Sequence, residues 1–310
     1  MLSFPDSPPP ATAEMSESLD LLVIGLGPAG VSAAIQAHRD GLRLLAVSDE
    51  PVGGLTRAAR RIRNLPGLPE IGGQELAERM AAQLLALGVP QAAGRVDVLS
   101  RAGSGFLAEL NNGMKLFARA ICLATGTRAR TWDALPAPGT GRRVHRDVRS
   151  LPADLAGQQV VVVGGGEAAL DTALGVIDRR GKPVLLVRGR FLRSAPGLIQ
   201  EARAARIDIR LEVAIEQIRE ANGSLALGCS SGDELMADHL VVCIGREPRH
   251  EFLDEHLPGP RPAELAHPLT PGVFWAGDVI RGRDRYVAAA LGDGQRAAIL
   301  AGHYLEERRT

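Results

Sequence analysis

Cysteine is scarce in this 310-residue chain, which holds only Cys122, Cys229 and Cys243. They are widely scattered, so there is no Cys-x-x-Cys redox pair and no spacing that suits a metal ion, and such sparse usage fits a reducing cytoplasm. Cys122 and Cys243 lie in strand-like apolar runs, where a thiol packs as a small buried hydrophobe and not as a nucleophile. Excess charge is lacking as well: 36 basic residues stand against 36 acidic ones, which argues against nucleic acid as the main partner. Lysine is nearly absent, so the positive charge is arginine. No apolar run approaches the length of a membrane span. Residues 1–17 combine a proline run with Ser, Asp and Glu and show no apolar periodicity, which reads as a disordered tail and not a secretory signal. The chain as a whole is 45% hydrophobic and 23% charged, as expected of a soluble globular enzyme or binding protein long enough for two domains.

Glycine is placed where it carries information. The apolar run from Leu21 to Ile24 empties into Gly25-Leu26-Gly27-Pro28-Ala29-Gly30 and then into a helical pattern over 31–38. In a strand–Gly-x-Gly-x-x-Gly–helix unit the first glycine permits the tight turn, the second lets backbone approach a pyrophosphate, and the third lets helix pack on strand. A second strand over 42–47 ends in Ser48-Asp49-Glu50, placing a carboxylate where a ribose hydroxyl should sit. A Gly-rich turn without ligand is the plainer reading, and the complete unit with its acid argues against it.

The following loop, with Gly53, Gly54, arginines 57, 60, 61 and 63, then Asn64-Leu65-Pro66-Gly67, has too much Pro and Gly for a helix or central strand. A helix is expected over 73–87. Short strands over 95–99, 106–110 and 115–118, separated by Gly103 and Asn111-Asn112-Gly113, suggest an antiparallel meander. A buried strand over 120–126 ending Ala124-Thr125-Gly126 should rejoin the first sheet. Around 130–141 the composition shifts to Pro, Gly and Thr, as at a domain crossing. The opening pattern then recurs: Val160 to Val163, then Gly164-Gly165-Gly166-Glu167-Ala168-Ala169, a helix to 178 and a strand over 184–187. This second unit ends in Arg188 and not in an acid, with Arg190 and Arg193 close behind, which suits a ribose 2′-phosphate and hence NADPH over NADH. The plainer alternative for these arginines is a solvated loop. A strand over 240–244 precedes the return crossing at Gly245 to Pro248. The segment 272–279, ending Gly277-Asp278-Val279, precedes a helix over 286–305, where a carboxylate can accept from a ligand hydroxyl.

Together these residues resemble the low-molecular-weight thioredoxin reductases and their relatives, the pyridine nucleotide–disulfide oxidoreductases. The resemblance implies an α/β protein of two Rossmann-like domains: a discontinuous FAD domain (18–129 and 247–310) with an inserted NAD(P)H domain (130–246). It implies FAD at Gly25, Gly27, Pro28, Ala29 and Gly30, with Asp49, Glu50, Gly54, Asn64, Ala124, Thr125, Gly126, Gly277, Asp278, Arg285, Tyr286 and Val287 around it. It implies NADPH at Gly164, Gly166, Glu167, Ala168, Arg188, Arg190 and Arg193, although Gly189 stands where the family has an arginine and Arg188 where it has a histidine. It further implies a homodimer, and an NADPH domain that turns on the crossings near Arg130 and Gly245. The family's dithiol falls at Asp147 and Ser150, which cannot exchange a disulfide, so the dithiol route to thioredoxin is closed.

The expected activity is therefore transfer from NADPH through FAD to an external acceptor. One reading is an acidic carrier such as a ferredoxin or flavodoxin, steered by arginines 57, 60, 61 and 63, arginines 142, 143, 146 and 149, and arginines 281, 283 and 285 on one side of the flavin. A second is a small disulfide, thiol or quinone reduced over the flavin, with His145 or Asp147 as proton donor and Tyr286 at the rim. A third is a nucleotide sensor without turnover.

Overall fold

The computed structural model describes residues 18–132, 143–221, 223–261 and 269–308. The expected tail over 1–17, residues 133–141 of the crossing and Arg142 lie outside the described residues.

The chain enters on β1 (Leu19–Ile24), turns into α1 (Pro28–Arg39) and returns as β2 (Leu44–Ser48), parallel to β1 with Leu21 beside Leu44. After α2 (Gly73–Ala86) a short edge strand β3 (Gln91–Ala93) joins β2. Then β4 (Val96–Ala102), β5 (Gly105–Leu110) and β6 (Lys115–Leu123) form the expected antiparallel meander. The two strands expected over 115–118 and 120–126 are the single strand β6. Arg119, the residue that appeared to divide them, is matched across the sheet by Asp20 of β1 at 3.1 Å.

A three-residue strand, β7 (Thr127–Ala129), leads away to a second, parallel sheet. That sheet contains β8 (Val144–His145), β9 (Gln159–Val163), α3 (Glu167–Asp178), β10 (Lys182–Val187), α4 (Pro196–Ala204) and β11 (Asp208–Leu211). A small antiparallel meander follows, β12 (Ile215–Ala221), β13 (Ser224–Cys229) and β14 (Glu234–Ala237), before β15 (His239–Val242) completes the parallel order β11-β10-β9-β15-β8. The return strand β16 (Arg246–Pro248) pairs antiparallel with β7, so two adjacent strands link the sheets. Last come β17 (Val273–Trp275), parallel to the second half of β6, and α5 (Val287–Glu306).

Parallel strands covered on both faces read as unbroken apolar runs. Leu21, Leu22 and Val23 in the first sheet and Val160, Val161 and Val162 in the second are fully buried. On the first sheet α1 packs against α5 so closely that a Cβ on Gly294 would overlap the carbonyl of Ala29. Among the described residues no helix is long and apolar enough to cross a membrane.

Candidate functional site

The first glycine turn, and the start of the helix that follows the second, line one cavity of about 480 Å³, within the range of small-molecule sites. At the first turn Gly25 has φ 96°, a conformation that favours glycine, and a Cβ there would stand 2.5 Å from the carbonyl of Ala124. The end of β6 is thereby held against the turn. Gly27 begins α1 without a side-chain cap and Pro28 follows at the first helical position, so the helix start keeps N–H groups for an outside anion. A Cβ on Gly27 would meet no protein atom within 4 Å. The space in front of it belongs to the cavity, which is the fit a pyrophosphate requires. Pro28, Ala29, Asp49, Glu50, Gly54, Ala124, Thr125, Gly126, Asp278, Arg285, Tyr286 and Val287 line the same cavity.

The second turn repeats the device. Gly164 has φ 143°, and a Cβ on it would overlap the carbonyl of Cys243 at the end of β15. Glu167 and Ala168, at the start of α3, line the cavity, as do Asp171 and Thr172 one turn later. Gly164 and Gly166 shape the turn behind them.

This arrangement agrees with the comparisons. The family model for pyridine nucleotide-disulphide oxidoreductases matches residues 19–294. The chain belongs to that family. A 34.2 kDa protein in the rubredoxin operon of Clostridium pasteurianum is 28% identical, over 93% of this chain and 98% of that one. The bifunctional thioredoxin reductase/thioredoxin of Mycobacterium leprae is 30% identical over 93% of this chain, which spans 66% of it. The crystal structure of Lactococcus lactis thioredoxin reductase in its FR conformation superposes with a TM-score of 0.85 at 26% identity, covering 94% of this chain and all of that one. The oxidoreductase family is FAD-binding and uses a pyridine nucleotide, and the paired fingerprints meet both demands.

Several residues of this oxidoreductase sit elsewhere than the sequence suggests. Asn64 is exposed and outside the cavity lining, because its loop folds back through the Ile62–Ile71 bridge. His145 is also outside it. Its Nδ1 meets Ser150 Oγ at 2.9 Å and its Nε2 meets His239 Nδ1 at 3.0 Å, while His239 Nε2 meets Gln158 at 3.0 Å. Burial, with the neighbouring His239, pushes its pKa down to about 4, so His145 is a neutral link between strands and not a proton donor to the cavity. Asp147 does line the cavity, but its carboxylate is held by Arg149 at 2.9 Å. Tyr286 lines it and stays 42% exposed, consistent with a place at the rim. Arg188 and Arg190 are exposed beyond the end of β10, outside the cavity, where the adenine ribose of a dinucleotide belongs. Arg190 pairs with Glu212 at 2.9 Å, and the backbone N–H of Arg193 donates to Gly165 at 2.6 Å, fastening this loop over the second turn.

The expected arginine rim does not form a single patch. Arg60 and Arg63 pair with Glu201, Arg149 with Asp147, and Arg281 with Asp293; Arg57 donates to the carbonyl of Val52 and Arg143 to that of Asp238. Arg61, Arg146 and Arg285 line the cavity as expected, but two further cations that face it, Arg246 and Arg249, were missed in sequence. Arg249 caps Asp49 at 2.8 Å, across 200 positions of chain. Arg246, fixed by Thr127 through Nε at 2.9 Å and Nη2 at 2.8 Å, and Arg285, which donates to the carbonyl of Arg246 at 3.3 Å, make no ion pair among the described residues. Burial lowers the pKa of both, and neighbouring cations add to this: Arg149 and Arg285 around Arg246, Arg130 beside Arg285. Burial raises Asp278 despite the pull of Arg285, Arg246 and Arg281. No motif announces Arg246 and Arg249; their place on the return crossing was the one available signal.

The thiols are inert by environment. Burial pushes Cys122 up to about 12 and Cys243 up to about 11, and also raises Cys229.

Proposed function

We propose that this oxidoreductase takes reducing equivalents from NADPH through FAD and delivers them to an electron-carrier protein with no protein dithiol in between. The observation that carries the reading is the shared cavity: the first dinucleotide turn and the start of α3, just after the second, both line it, while the one thiol in its lining, Cys243, is held protonated at neutral pH. A bound flavin brings hydride acceptance from a nicotinamide and electron release singly or in pairs. The chain's own residues do the rest. Gly27 and the start of α1 receive the pyrophosphate, Asp49 or Glu50 a ribose hydroxyl, and Asp278 a hydroxyl of the opposite end. Arg246 and Arg285, which line the cavity and make no ion pair among the described residues, would place two cations near a flavin bound there and so would favour its reduced, more negative state electrostatically. The preference for NADPH rests on Arg188, which is exposed at the end of β10 and makes no ion pair among the described residues. The carrier reading is supported by the operon named for the Clostridium pasteurianum relative. We further assign a homodimer and a cytoplasmic site of action; a monomer mass in sedimentation at micromolar concentration overturns the dimer.

The test is an anaerobic visible spectrum before and after NADPH, followed by turnover with a ferredoxin, a rubredoxin and a small disulfide, in wild type and in a variant with all three cysteines replaced by alanine. Flavin bleaching followed by carrier reduction in both proteins supports the proposal. Turnover lost with the cysteines in a folded, flavin-loaded variant overturns the dithiol-free route. Activity with small disulfides but with no carrier overturns the choice of acceptor, and a flavin that NADPH never bleaches points to a sensor.

A further inference from the structure

We propose that Arg60 is a positioning residue, an ionic clasp that holds the second dinucleotide turn over the cavity it shares with the first. Arg60 lies in the loop after the 3-10 turn Gly54–Ala58, on the side of the first sheet. All its carboxylate partners lie on helices of the second. Its backbone N–H donates to Asp171 Oδ2 at 2.8 Å, its Nη1 reaches Asp178 at 3.3 Å, and its Nη2 pairs with Glu201. Arg63 adds a contact to the other oxygen of Glu201 at 2.9 Å while also holding Glu70 at 2.6 Å. Asp171 and Asp178 are seven positions apart on α3 and so share a face, and Glu201 reaches in from α4.

The clasp grips the helix that matters for chemistry. The first residues of α3, Glu167 and Ala168, belong to the second fingerprint, and Asp171 both lines the cavity and binds Arg60. Apart from side-chain contacts of this kind, β7 and β16 are the covalent connection between the two sheets. A few ångströms of swing on that ribbon would carry α3 away from the first turn.

Charge bookkeeping shows why Arg60 matters more than an ordinary surface pair. Its side chain is 11% exposed and those of Asp171 and Glu201 are 23% and 27% exposed, so salt screens the cluster only partly. Burial opposes the charge on Arg60, yet the three carboxylates outweigh it and hold the guanidinium firmly protonated. Burial raises Asp171, and Glu201 and Asp178 add to that by repulsion. Removing the Arg60 side chain therefore deletes the ion pairs that tie α3 and α4 to the first part and leaves their partly buried carboxylates short of a cation, and the expected response is opening, which returns them to water. Arg60 Nε makes no hydrogen bond among the described residues and sits 3.7 Å from Asp171, close enough for the ion pair alone.

This inference rests on the reading that nucleotide and flavin meet in the shared cavity, and its test has two arms. In the holoprotein, Arg60→Ala should keep flavin content and NADPH affinity within about twofold of wild type. The limiting rate of flavin bleaching at saturating NADPH should fall about 10- to 100-fold, because small misplacements of reacting groups cost that much. X-ray scattering should show a larger radius of gyration for the variant. Adding Glu201→Gln to Arg60→Ala also removes the Arg63–Glu201 pair between the two parts and should deepen both losses; Arg63→Ala, a milder and half-exposed change, should move both readouts the same way less far. An unchanged radius of gyration and limiting rate in folded Arg60→Ala overturns the clasp. If wild type is not bleached at all, the functional reading fails, and scattering alone decides whether Arg60 holds the two parts closed.

Discussion

Two glycines three positions apart should respond to a methyl group in opposite ways. Gly27 has φ −70° and ψ −177°, a conformation open to any residue, and a Cβ there meets no protein atom within 4 Å. Gly27→Val should leave the apoprotein folded and within about 1 kcal/mol of wild type, the freedom lost by the unfolded chain being set against a poorer N-cap of α1. A Cβ on Gly30 would overlap the carbonyl of Gly25, which is backbone and cannot yield, so Gly30→Ala should cost more than about 4 kcal/mol. FAD separates the two effects. At a hundred times its Kd a ligand of the folded state adds about 2.7 kcal/mol, a Tm rise of roughly 4 °C for a chain of this size. The assay is a thermal melt of apoprotein with and without FAD, alongside the visible spectrum of the protein as purified. Wild type should be yellow and gain the rise; Gly27→Val should melt normally and gain nothing; Gly30→Ala should fail to fold. A Gly27→Val protein that retains flavin with the wild-type Tm rise would refute the placement of the pyrophosphate at α1, and an unstable apoprotein would refute the reading of Gly27 as free of protein contact.

Arg188→Ala should lower kcat/KM for NADPH by about 10- to 100-fold, the loss of one charge-assisted phosphate contact of roughly 1.5–3 kcal/mol, and leave NADH nearly unchanged; equal losses with both nucleotides would dismiss a 2′-phosphate contact. The buried His145 gives a pH signature. Its folded pKa of about 4 lies below the ordinary value near 6.5, so the unfolded chain binds the proton first: the stabilisation is complete above roughly pH 6.5, falls as the pH drops, and is gone below about 4. By pH 5 the loss should be about 2 kcal/mol in urea denaturation. His145→Gln should flatten that slope, and parallel profiles for the two proteins would show that His145 does not titrate on unfolding.

Regular spacing over short stretches is what the chain declares openly. Gly25, Gly27 and Gly30 between apolar runs, the repeat of that pattern from Gly164, and the punctuation around Arg130 and Gly245 were legible because a turn, a strand and a helix start depend on neighbours within a few positions. The same locality made Asp49, Glu50 and Asp278 recognisable as cavity residues, each standing at the end of an element already identified, whereas Tyr286 was indicated by the family resemblance alone. Charge pairing is not local. Arg60 meets Asp171 across 111 positions, His145 meets His239 across 94, and Arg249 meets Asp49 across 200. In sequence Arg60 is one more arginine in a basic loop, and His145 stands beside Asp147 like a proton donor. Only the packing of α3 and α4 against the loop makes the first a clasp, and only the pairing of β8 with β15 turns the second inward, because a charge or an imidazole takes its role from whatever the fold brings within about 3 Å of it.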